Sequence, residues 1–469
     1  MRLIDALSSG GDARITLAPE TGLNKYLSAP HPRDIAAYSS STVSDISRAA
    51  FEHLLDQPPV QNAADYGRVL DGIRHRVRRE CGLPGDTQIV FAASGTDLEY
   101  VALAATIGKA AKGVHNILLG ADEIGSGCIH SANGAYFANE TALGIPVEPA
   151  DHVAGCGPVS MVDVPVRCGE GVARTSEAIS AAIRAEIRTA QAAHKHALVH
   201  GVHGSKTGLV LPSLADIDAM RAEFAGDVTF VIDACQARIT SGALGEYVKR
   251  DCIVLLTGSK FVGAPPFSGF ALVPQSQVDG AANLPSGFAT IFNRAEWPHS
   301  WPGRECLPGG CNASLALRLE AAIFEIERFQ RLPVRKVKAI LDTFEECLED
   351  AVITPLGVQR VLPHAIGMEA AQSQRPIEMR TLMTLDLSVL PGLATFDEAQ
   401  GVHRRLALEA GIRLGQPVKC VRIASGWGGT LRIGLSMPLI SRFAAMTIAD
   451  ARAIMLRDFT AIADWLRNL

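Results

Sequence analysis

Two stretches of this sequence decide its fold: VTFVIDACQARI at residues 228–239 and CIVLLTGSKFVGAPPFSGFALV at residues 252–273. Each begins with a continuously apolar run, which is typical of a strand buried on both faces of a sheet. Each run then ends on polar residues, Asp233 in the first stretch and Thr257 to Lys260 in the second. Ligands of open α/β sheets bind at the carboxyl ends of strands, so these two ends are the first candidates for a functional site.

Alternating strand and helix patterns surround these two stretches. From residue 88 to residue 275, short apolar runs bounded by glycine recur between helical patterns. This alternation predicts an α/β fold with a mostly parallel central sheet. The predicted strands are QIVFAA, NILLG, HALVHGV, VTFVID, CIVLLTG and GFALVP, and the helices between them include LEYVALAATIGKAAK and SEAISAAIRAEIRTAQAA.

The pattern changes after the tract EWPHSWPGRECLPGGCN. A helix predicted over residues 313–330 is followed, after Pro333, by a second helix. The strand candidates TLMTLDL and LRIGLS, the helical run DEAQGVHRRLALEAG between them and a terminal helix from Ile448 complete the chain. We therefore expect an N-terminal arm at residues 1–60, a large ligand-binding domain at 61–320 and a smaller α+β domain at 321–469.

The composition argues against several classes of partner. With 44 lysines and arginines against 49 aspartates and glutamates, and no long run of either sign, the sequence shows no basic patch for nucleic acid or an anionic membrane. No segment has the apolar length of a membrane span, and the first residues do not resemble a signal peptide. We therefore expect a cytoplasmic protein that acts on a small molecule. The 10 cysteines are scattered singly, which indicates neither disulfides nor a metal site.

Asp233 and Lys260 have side chains that suit a covalently held cofactor. A carboxylate at the end of a buried strand needs a partner, because an unpaired buried charge is costly, and a protonated pyridine nitrogen would serve. An ordinary strand-end aspartate fits the same pattern. Lys260 follows the next apolar run, where a desolvated amine can act as a nucleophile and form a Schiff base. The spacing fits one further strand that returns to the same edge of the sheet.

A third strand end, FAASGTDLEY at residues 91–100, has the composition of a phosphate-binding loop. Ser94 and Thr96 offer hydroxyl groups, Gly95 permits a ligand to approach the backbone, and the helix predicted to follow would present free N–H groups. An ordinary helix N-cap fits these residues as well. Thr257 and Ser259, next to the lysine, would add hydroxyl donors to the same phosphate.

The segments DACQ and TGSK resemble those of the fold-type I enzymes that use pyridoxal 5′-phosphate. Within them they are most similar to the class V aminotransferase group, which includes cysteine desulfurases and alanine–glyoxylate aminotransferases. The resemblance implies that Asp233 contacts the pyridine nitrogen, that Lys260 carries the cofactor and that Gln236 lies near the ring hydroxyl. SGTDLE matches the group's phosphate loop, which implies Gly95 and Thr96. Active sites of the group form between two subunits, so the resemblance also implies a homodimer.

Three further segments are less closely similar to the same group. HGVHGSKTGLVLP implies His203 or Ser205 near the ring oxygen, although the acidic residue common at this point is missing. LPGGCNAS implies that Gly310 or Asn312 reaches the phosphate of the partner subunit. LRIGLS implies that Arg432 grips the substrate carboxylate in a bidentate pair, which would orient the α-carbon. An exposed strand arginine is the alternative for that residue.

The resemblance leaves open which residue packs on the cofactor ring. The corresponding segment, GADEIGSGCIHSANGAYF, has no aromatic residue at the expected place. The candidates are Glu123, Ser126, His130 and Tyr136.

The sequence therefore predicts an enzyme that acts at the α-carbon of an amino acid. Transamination is the leading hypothesis, because of Arg432 and the resemblance around Lys260. A C–S or other β/γ lyase, or a replacement enzyme, is the alternative, and a non-catalytic protein of the same fold is a third. Cysteine desulfuration is disfavoured because Val418 stands where one desulfurase subgroup carries a mobile cysteine, and Cys420 is displaced from it. Decarboxylation is disfavoured because Ser259 replaces the histidine typical of those enzymes.

Overall fold

The computed structural model describes residues 2–121, 123–125, 127–363 and 376–469. Its strands, in chain order, are β1 (Ala36–Tyr38), β2 (Gln88–Ala92), β3 (Val114–Leu119), β4 (Val159–Val164), β5 (His196–His203), β6 (Val210–Leu211), β7 (Val228–Asp233), β8 (Ile253–Thr257), β9 (Gly269–Val273), β10 (Gln359–Arg360), β11 (Leu382–Asp386), β12 (Ile412–Leu414), β13 (Arg422–Ile423), β14 (Gly426–Trp427) and β15 (Thr430–Gly434).

The α-helices are α1 (Leu3–Leu7), α2 (Arg48–Leu55), α3 (Ala63–Glu80), α4 (Glu99–Ala104), α5 (Cys128–Ala132), α6 (Ser176–Ala192), α7 (Leu214–Glu223), α8 (Ser241–Lys249), α9 (Gln275–Asp279), α10 (Ala313–Gln330), α11 (Val334–Leu348), α12 (Thr354–Leu356), α13 (Phe396–Glu409), α14 (Met437–Ala444) and α15 (Ile448–Arg467). Shorter 3₁₀ segments cover Ala13–Ile15, Ser286–Thr290, Arg294–Glu296, Arg304–Cys306 and Ile377–Thr381, and a π-helical turn covers Glu349–Ile353. In the described residues no helix is both long and apolar enough to cross a membrane.

The large sheet is the mixed, mostly parallel sheet that the sequence predicts. Its order is β2-β9-β8-β7-β5-β3-β4, and β6 pairs with β5 beside this path. The pairs β8–β7, β7–β5, β5–β3 and β3–β4 are parallel, whereas β9 is antiparallel to both of its neighbours, β2 and β8. All six predicted strands are present. The edge strand β4 was not predicted, because its half-buried residues mix polar and apolar side chains.

Both faces of this sheet are covered, which explains why its strands are continuously apolar. On one face, α3, α6, α7 and α8 pack over Phe230, Ile232 and Val254. On the other face, α4 and the segment of residues 286–307 pack over Val231 and Leu255. The two faces alternate along each strand as the pleat requires.

A smaller sheet lies on the C-terminal side of the chain. Antiparallel β10, β11 and β15 form it, and α11 and α15 pack together next to it. The N-terminal segment joins this region, because β1 pairs in parallel with β12. The predicted helices over residues 313–330, after Pro333, between the two strand candidates and from Ile448 are all present. The domain boundary placed at residue 320 falls inside α10, and the three-part division stays a prediction.

Candidate active site

A cavity of about 250 Å³ lies at the carboxyl ends of β7 and β8. Its walls come from the N-terminal segment, from loops that follow strands of the large sheet, and from β15. All but two of the predicted site residues line it: Ser94, Gly95, Thr96, Ser205, Asp233, Gln236, Thr257, Ser259, Lys260 and Arg432. The fold therefore gathers residues that are spread over most of the sequence.

Asp233 and Lys260 lie at the carboxyl ends of neighbouring parallel strands. Asp233 is the last residue of β7, where it pairs with Leu255 of β8, and its Oδ1 accepts a hydrogen bond from the amide of Cys235 at 2.8 Å. Lys260 follows the end of β8 by three residues. Within the described chain neither side chain forms an ion pair, although both line the cavity. Each charge is thus available to a ligand.

The loop Ser94–Thr96 follows β2 and forms one end of the cavity. In the part of the chain that the structure describes, the amides of Gly95 and Thr96 donate no hydrogen bond, which leaves them for a ligand. The Ser94 hydroxyl donates to Asp97 Oδ2 at 2.6 Å. Burial raises the pKa of Asp97 to about 6. Helix α4 begins only at Glu99, so the free amides belong to the loop and not to the first turn of the helix.

The remaining polar side chains on this wall are fixed by protein partners. Gln236 Nε2 donates to the Ser41 carbonyl at 3.0 Å, and its Oε1 accepts from Arg238 at 2.7 Å. Thr257 Oγ1 donates to the Cys235 carbonyl at 2.7 Å. Their positions in the cavity fit the predicted cofactor contacts, and those roles stay predictions.

Ser205 lines the cavity beside a buried carboxylate that the sequence did not reveal as its partner. The Ser205 hydroxyl donates to Glu123 Oε2 at 2.7 Å, and Thr207 donates through its amide and its hydroxyl at 3.0 and 2.9 Å. Arg167 forms an ion pair with Glu123 at 2.8 Å. The segment of residues 200–212 has no acidic residue of its own. Glu123, from the loop after β3, is the carboxylate that accepts the hydrogen bonds of Ser205 and Thr207.

Arg432 lies on β15 and is 3% exposed. It donates to the carbonyls of Gln416 at 2.8 Å, Lys206 at 3.2 Å and Ser41 at 3.3 Å, and to the Thr42 hydroxyl at 3.3 Å. All of these acceptors are uncharged, and no described residue forms an ion pair with Arg432. Burial lowers the pKa of Arg432 to about 10, so the guanidinium is still charged at neutral pH. The alternative of an exposed strand arginine is wrong.

Solved structures of several enzymes are similar to this chain over nearly its whole length. An alanine–glyoxylate aminotransferase from Nostoc sp. has a TM-score of 0.56 at 14% identity, covering 94% of this chain and 96% of that one. A cysteine desulfurase from Thermococcus onnurineus has a TM-score of 0.54 at 15% identity, covering 92% and 95%. A cystine C–S lyase has a TM-score of 0.56 at 15% identity, covering 91% and 97%.

This chain has the fold of these enzymes. No protein-family profile and no curated protein sequence matches it. At such low identity the likeness establishes the architecture, and the chemistry has to be argued from the residues of this cavity.

Two predicted residues, His203 and Asn312, do not line this cavity. For His203 this corrects the prediction, whereas the predicted contact of Asn312 with the phosphate of a partner subunit stays a prediction. His203 is in register with the opposite face of the sheet from Asp233, since Val202 pairs with Asp233 in the β5–β7 ladder. Its ring packs against Tyr247 of α8, with Nδ1 3.1 Å from the Tyr247 hydroxyl. Asn312 caps α10 by accepting from the Leu315 amide at 2.9 Å. It lines a separate groove on the surface, together with Gly310.

Of the described candidates for the ring-packing position, only Glu123 lines the cavity. His130 is exposed, and the Tyr136 hydroxyl bonds to Thr290 at 2.9 Å, outside the cavity. Glu123 lines the cavity, but its carboxylate is committed as described above. Ser126 lies outside the described residues. The aromatic residues on the described cavity wall are Tyr26 and Phe267, and neither belongs to the predicted segment.

Glu99 and His200 form a buried pair beneath the cavity that sequence patterns did not indicate. Glu99 Oε2 lies 3.6 Å from His200 Nδ1, and neither ring nitrogen has a hydrogen-bond partner among the described residues. Burial raises the pKa of Glu99 well above its usual range, and the charge of Asp233 adds to this shift. Burial lowers the pKa of His200 to about 3. Burial thus favours the uncharged form of both groups.

The N-terminal segment is the largest contribution that sequence reasoning missed. It supplies five residues to the cavity wall, although the sequence shows only an arm without a recognisable motif. These residues are Arg14, Tyr26, Ser41, Thr42 and Val43. The pairing of β1 with β12 and the bonds from Arg432 to Ser41 and Thr42 hold this segment in place.

Proposed function

We propose that this protein is a pyridoxal 5′-phosphate-dependent enzyme that transfers the amino group of an amino acid. One observation carries the proposal. Asp233 and Lys260, at the ends of adjacent parallel strands, line the same cavity as Arg432, a buried cation without an acidic partner in the described residues. The likeness to solved aminotransferases supports it.

The donor set of the cavity fits this cofactor group by group. Lys260 offers an amine for the aldehyde, and Asp233 offers a carboxylate for the protonated ring nitrogen. The free amides and hydroxyls of the loop Ser94–Thr96 suit a phosphate. Among the described residues, no cluster of histidine, cysteine, aspartate and glutamate side chains is arranged to hold a metal ion.

Each side chain then has a definite task. Pyridoxal phosphate, when bound, supplies an electron-withdrawing ring that stabilises negative charge at the substrate α-carbon. Asp233 would pair with the protonated ring nitrogen. Lys260 would hold the cofactor covalently and, as a free amine, would move the proton of the substrate α-carbon. Arg432 binds the substrate carboxylate and so fixes the orientation of the α-carbon toward Lys260.

Three buried cysteines, Cys420 and two on the cavity wall, argue against thiol-based desulfuration and favour transamination. Cys420 is buried, and burial raises the pKa of its thiol to about 12. Cys128 and Cys235 line the cavity, but burial raises the pKa of both thiols well above their usual range. Thiolate is the reactive form of cysteine, so none of the three is suited to act as a sulfur acceptor.

Incubation of the holoenzyme with single L-amino acids, without a keto acid, tests the proposal. A transaminase converts its cofactor to the pyridoxamine form in one half-turnover and then stops, releasing one equivalent of keto acid. Continuous release of ammonia and keto acid would instead identify a β/γ lyase and overturn the aminotransferase assignment. A cofactor spectrum that no amino acid changes would indicate a non-catalytic protein.

We also propose that the enzyme is a cytoplasmic homodimer, as the resemblance implies. Gly310 and Asn312 lie on a groove of about 760 Å³ at the surface, apart from the cavity of their own chain, where they could contact a second subunit. Analytical ultracentrifugation distinguishes the dimer from a monomer.

A further inference from the structure

Arg14 reaches the loop Ser94–Thr96 from the N-terminal segment. Its Nη2 lies 3.2 Å from Ser94 Oγ, and its Nη1 lies 3.4 Å from Thr96 Oγ1. Both distances are long for a hydrogen bond to a charged donor, which normally measures about 2.7–2.9 Å. The guanidinium thus faces the loop without being saturated by it, and a better acceptor would displace these contacts.

Asp12 and two aromatic rings hold this guanidinium in a fixed orientation. Asp12 accepts from Nε at 2.9 Å and from Nη2 at 2.6 Å, so it occupies one edge of the fork and leaves Nη1 facing the loop. Phe137 and Phe267 lie 5.1 and 5.2 Å from the guanidinium carbon, within cation–π range. A planar, oriented fork of this kind suits a tetrahedral oxyanion better than a lysine would.

The turn that carries Arg14 is itself anchored by buried groups. Arg318, which is fully buried, donates to the carbonyls of Ser9, Gly10 and Phe267. Gly10 has a φ of +66°, and a Cβ at this position would lie 2.3 Å from Asn312 Oδ1. Glycine is favoured there, so Gly10 allows the chain to turn toward the cavity.

The charges around the loop require a cation at this place. Asp12 and Asp97 both lie next to the loop, and Asp97 accepts from Ser94. A phosphate dianion would be repelled by these carboxylates unless a positive charge stood between them. In the described structure, Arg14 is the cation whose side chain contacts Ser94 and Thr96.

We propose that Arg14 is the principal cationic ligand of the cofactor phosphate, so that the N-terminal segment completes the cofactor site of the same chain. The inference rests on the proposed function, because it takes the loop Ser94–Thr96 as the phosphate subsite. It assigns a cofactor-binding role to a segment that has no recognisable binding motif.

Titration of the full-length apoprotein with pyridoxal 5′-phosphate and, separately, with pyridoxal tests the inference through binding. The near-visible absorbance of the bound cofactor reports both affinities. For Arg14→Gln we expect the affinity for pyridoxal 5′-phosphate to fall about 10- to 100-fold, the size of a lost charged hydrogen bond. The affinity for pyridoxal should not change, because that ligand has no phosphate. Arg188→Gln, an exposed arginine on α6 paired with Glu223, is the matched control and should bind both ligands as the wild type does.

Several results would overturn the inference. An unchanged affinity of Arg14→Gln for both ligands, or an equal loss for both, would show that Arg14 does not act on the phosphate. Should Arg14→Gln not fold, Arg14→Lys keeps the charge without the fork and should show a smaller loss that is still specific to the phosphorylated ligand. A wild-type protein that binds neither ligand would overturn the proposed function itself, whereas the first two results overturn the role of Arg14 alone.

Discussion

Replacement of Arg432 tests the proposed substrate handle, and the structure sets the size of the expected effect. The guanidinium is 3% exposed, and its protein contacts are all to uncharged oxygens. A substrate carboxylate would therefore be its one charged partner in a desolvated site. Removing one member of a buried, hydrogen-bonded charge pair costs about 2–5 kcal/mol. Since each 1.36 kcal/mol is tenfold in rate, Arg432→Gln should lose roughly 30- to 5,000-fold in kcat/KM.

The assay is the rate of the first half-reaction, followed by the cofactor absorbance under single-turnover conditions. The best amino acid substrate is compared with the amine of the same side chain that lacks the carboxylate. Wild type and Arg432→Gln should react with this amine at similar rates, because the amine has no carboxylate for residue 432 to bind. Arg432→Lys, which keeps the charge but not the fork, should fall between the two for the amino acid.

Arg422→Gln is a matched control, because Arg422 is exposed on strand β13, which pairs with β14, and does not line the cavity. It should retain wild-type kcat/KM. Retention of the cofactor absorbance and of the wild-type Tm by each variant excludes a general loss of folding. A wild-type kcat/KM for Arg432→Gln, or an equal loss with the amino acid and with the amine, would refute the assignment of Arg432 to the substrate carboxylate.

Three further predictions concern the acidic residues Asp233, Glu123 and Glu99. Asp233→Asn should still let borohydride fix the cofactor to the chain, but amino-group transfer should drop roughly 100-fold or more in single-turnover assays, because an amide cannot balance the ring charge. An unchanged rate would contradict this. Burial alone would raise the pKa of Glu123, but Arg167 and the hydrogen bonds from Ser205 and Thr207 together lower it below its ordinary value. The stability from this carboxylate is thus present above the ordinary glutamate pKa of about 4.3 and is lost as the pH falls through the lowered value. Urea unfolding should therefore show Glu123→Gln about 3 kcal/mol less stable than wild type at neutral pH, with the gap closing in acid, and a constant gap would argue against it. Glu99→Gln should change the free energy of unfolding by less than about 1 kcal/mol, because burial already favours the protonated form of the native side chain, whereas Glu99→Ala should cost more. Equal losses of unfolding free energy for Glu99→Gln and Glu99→Ala in chemical denaturation would contradict a protonated Glu99.

The large sheet was predictable because its strands are buried on both faces. Continuous apolar runs such as VTFVID can hardly be placed elsewhere, and their polar ends mark the edge where the cavity forms. Strand β4 was not predicted because it lies at the edge of the sheet and is only partly buried. It therefore carries polar residues such as Ser160 and Asp163 and shows no continuous apolar run. Helix α4 is shorter than LEYVALAATIGKAAK suggests, because the chain turns at residues 105–113 before β3.

The cavity residues were predictable where they follow strands of the large sheet, and less so elsewhere. Asp233, Lys260 and the loop Ser94–Thr96 each stand directly after an apolar run, so their convergence follows from topology. His203 was misplaced because the resemblance gave a choice between two nearby residues, and the strand pleat decides between them. Glu123 supplies the carboxylate that residues 200–212 lack. A sequence pattern within that one segment cannot reveal a partner from another loop.

The N-terminal contribution could not be predicted, because it depends on contacts far apart in sequence. Arg14 reaches the cavity only because Arg318 and Asn312, some three hundred residues later, bind the turn at Gly10. No periodicity or local motif encodes such a contact. Isolated polar residues in a segment without an apolar pattern become meaningful only when the fold brings their partners together.

Borohydride reduction of the purified protein, followed by peptide mapping, tests the central claim most directly. We expect a near-visible absorbance band that disappears on reduction, and a single peptide that carries the reduced pyridoxyl group on Lys260. Lys260→Ala should show neither the band nor the modified peptide. A protein that cannot bind pyridoxal 5′-phosphate, or a label on a different lysine, would contradict the account.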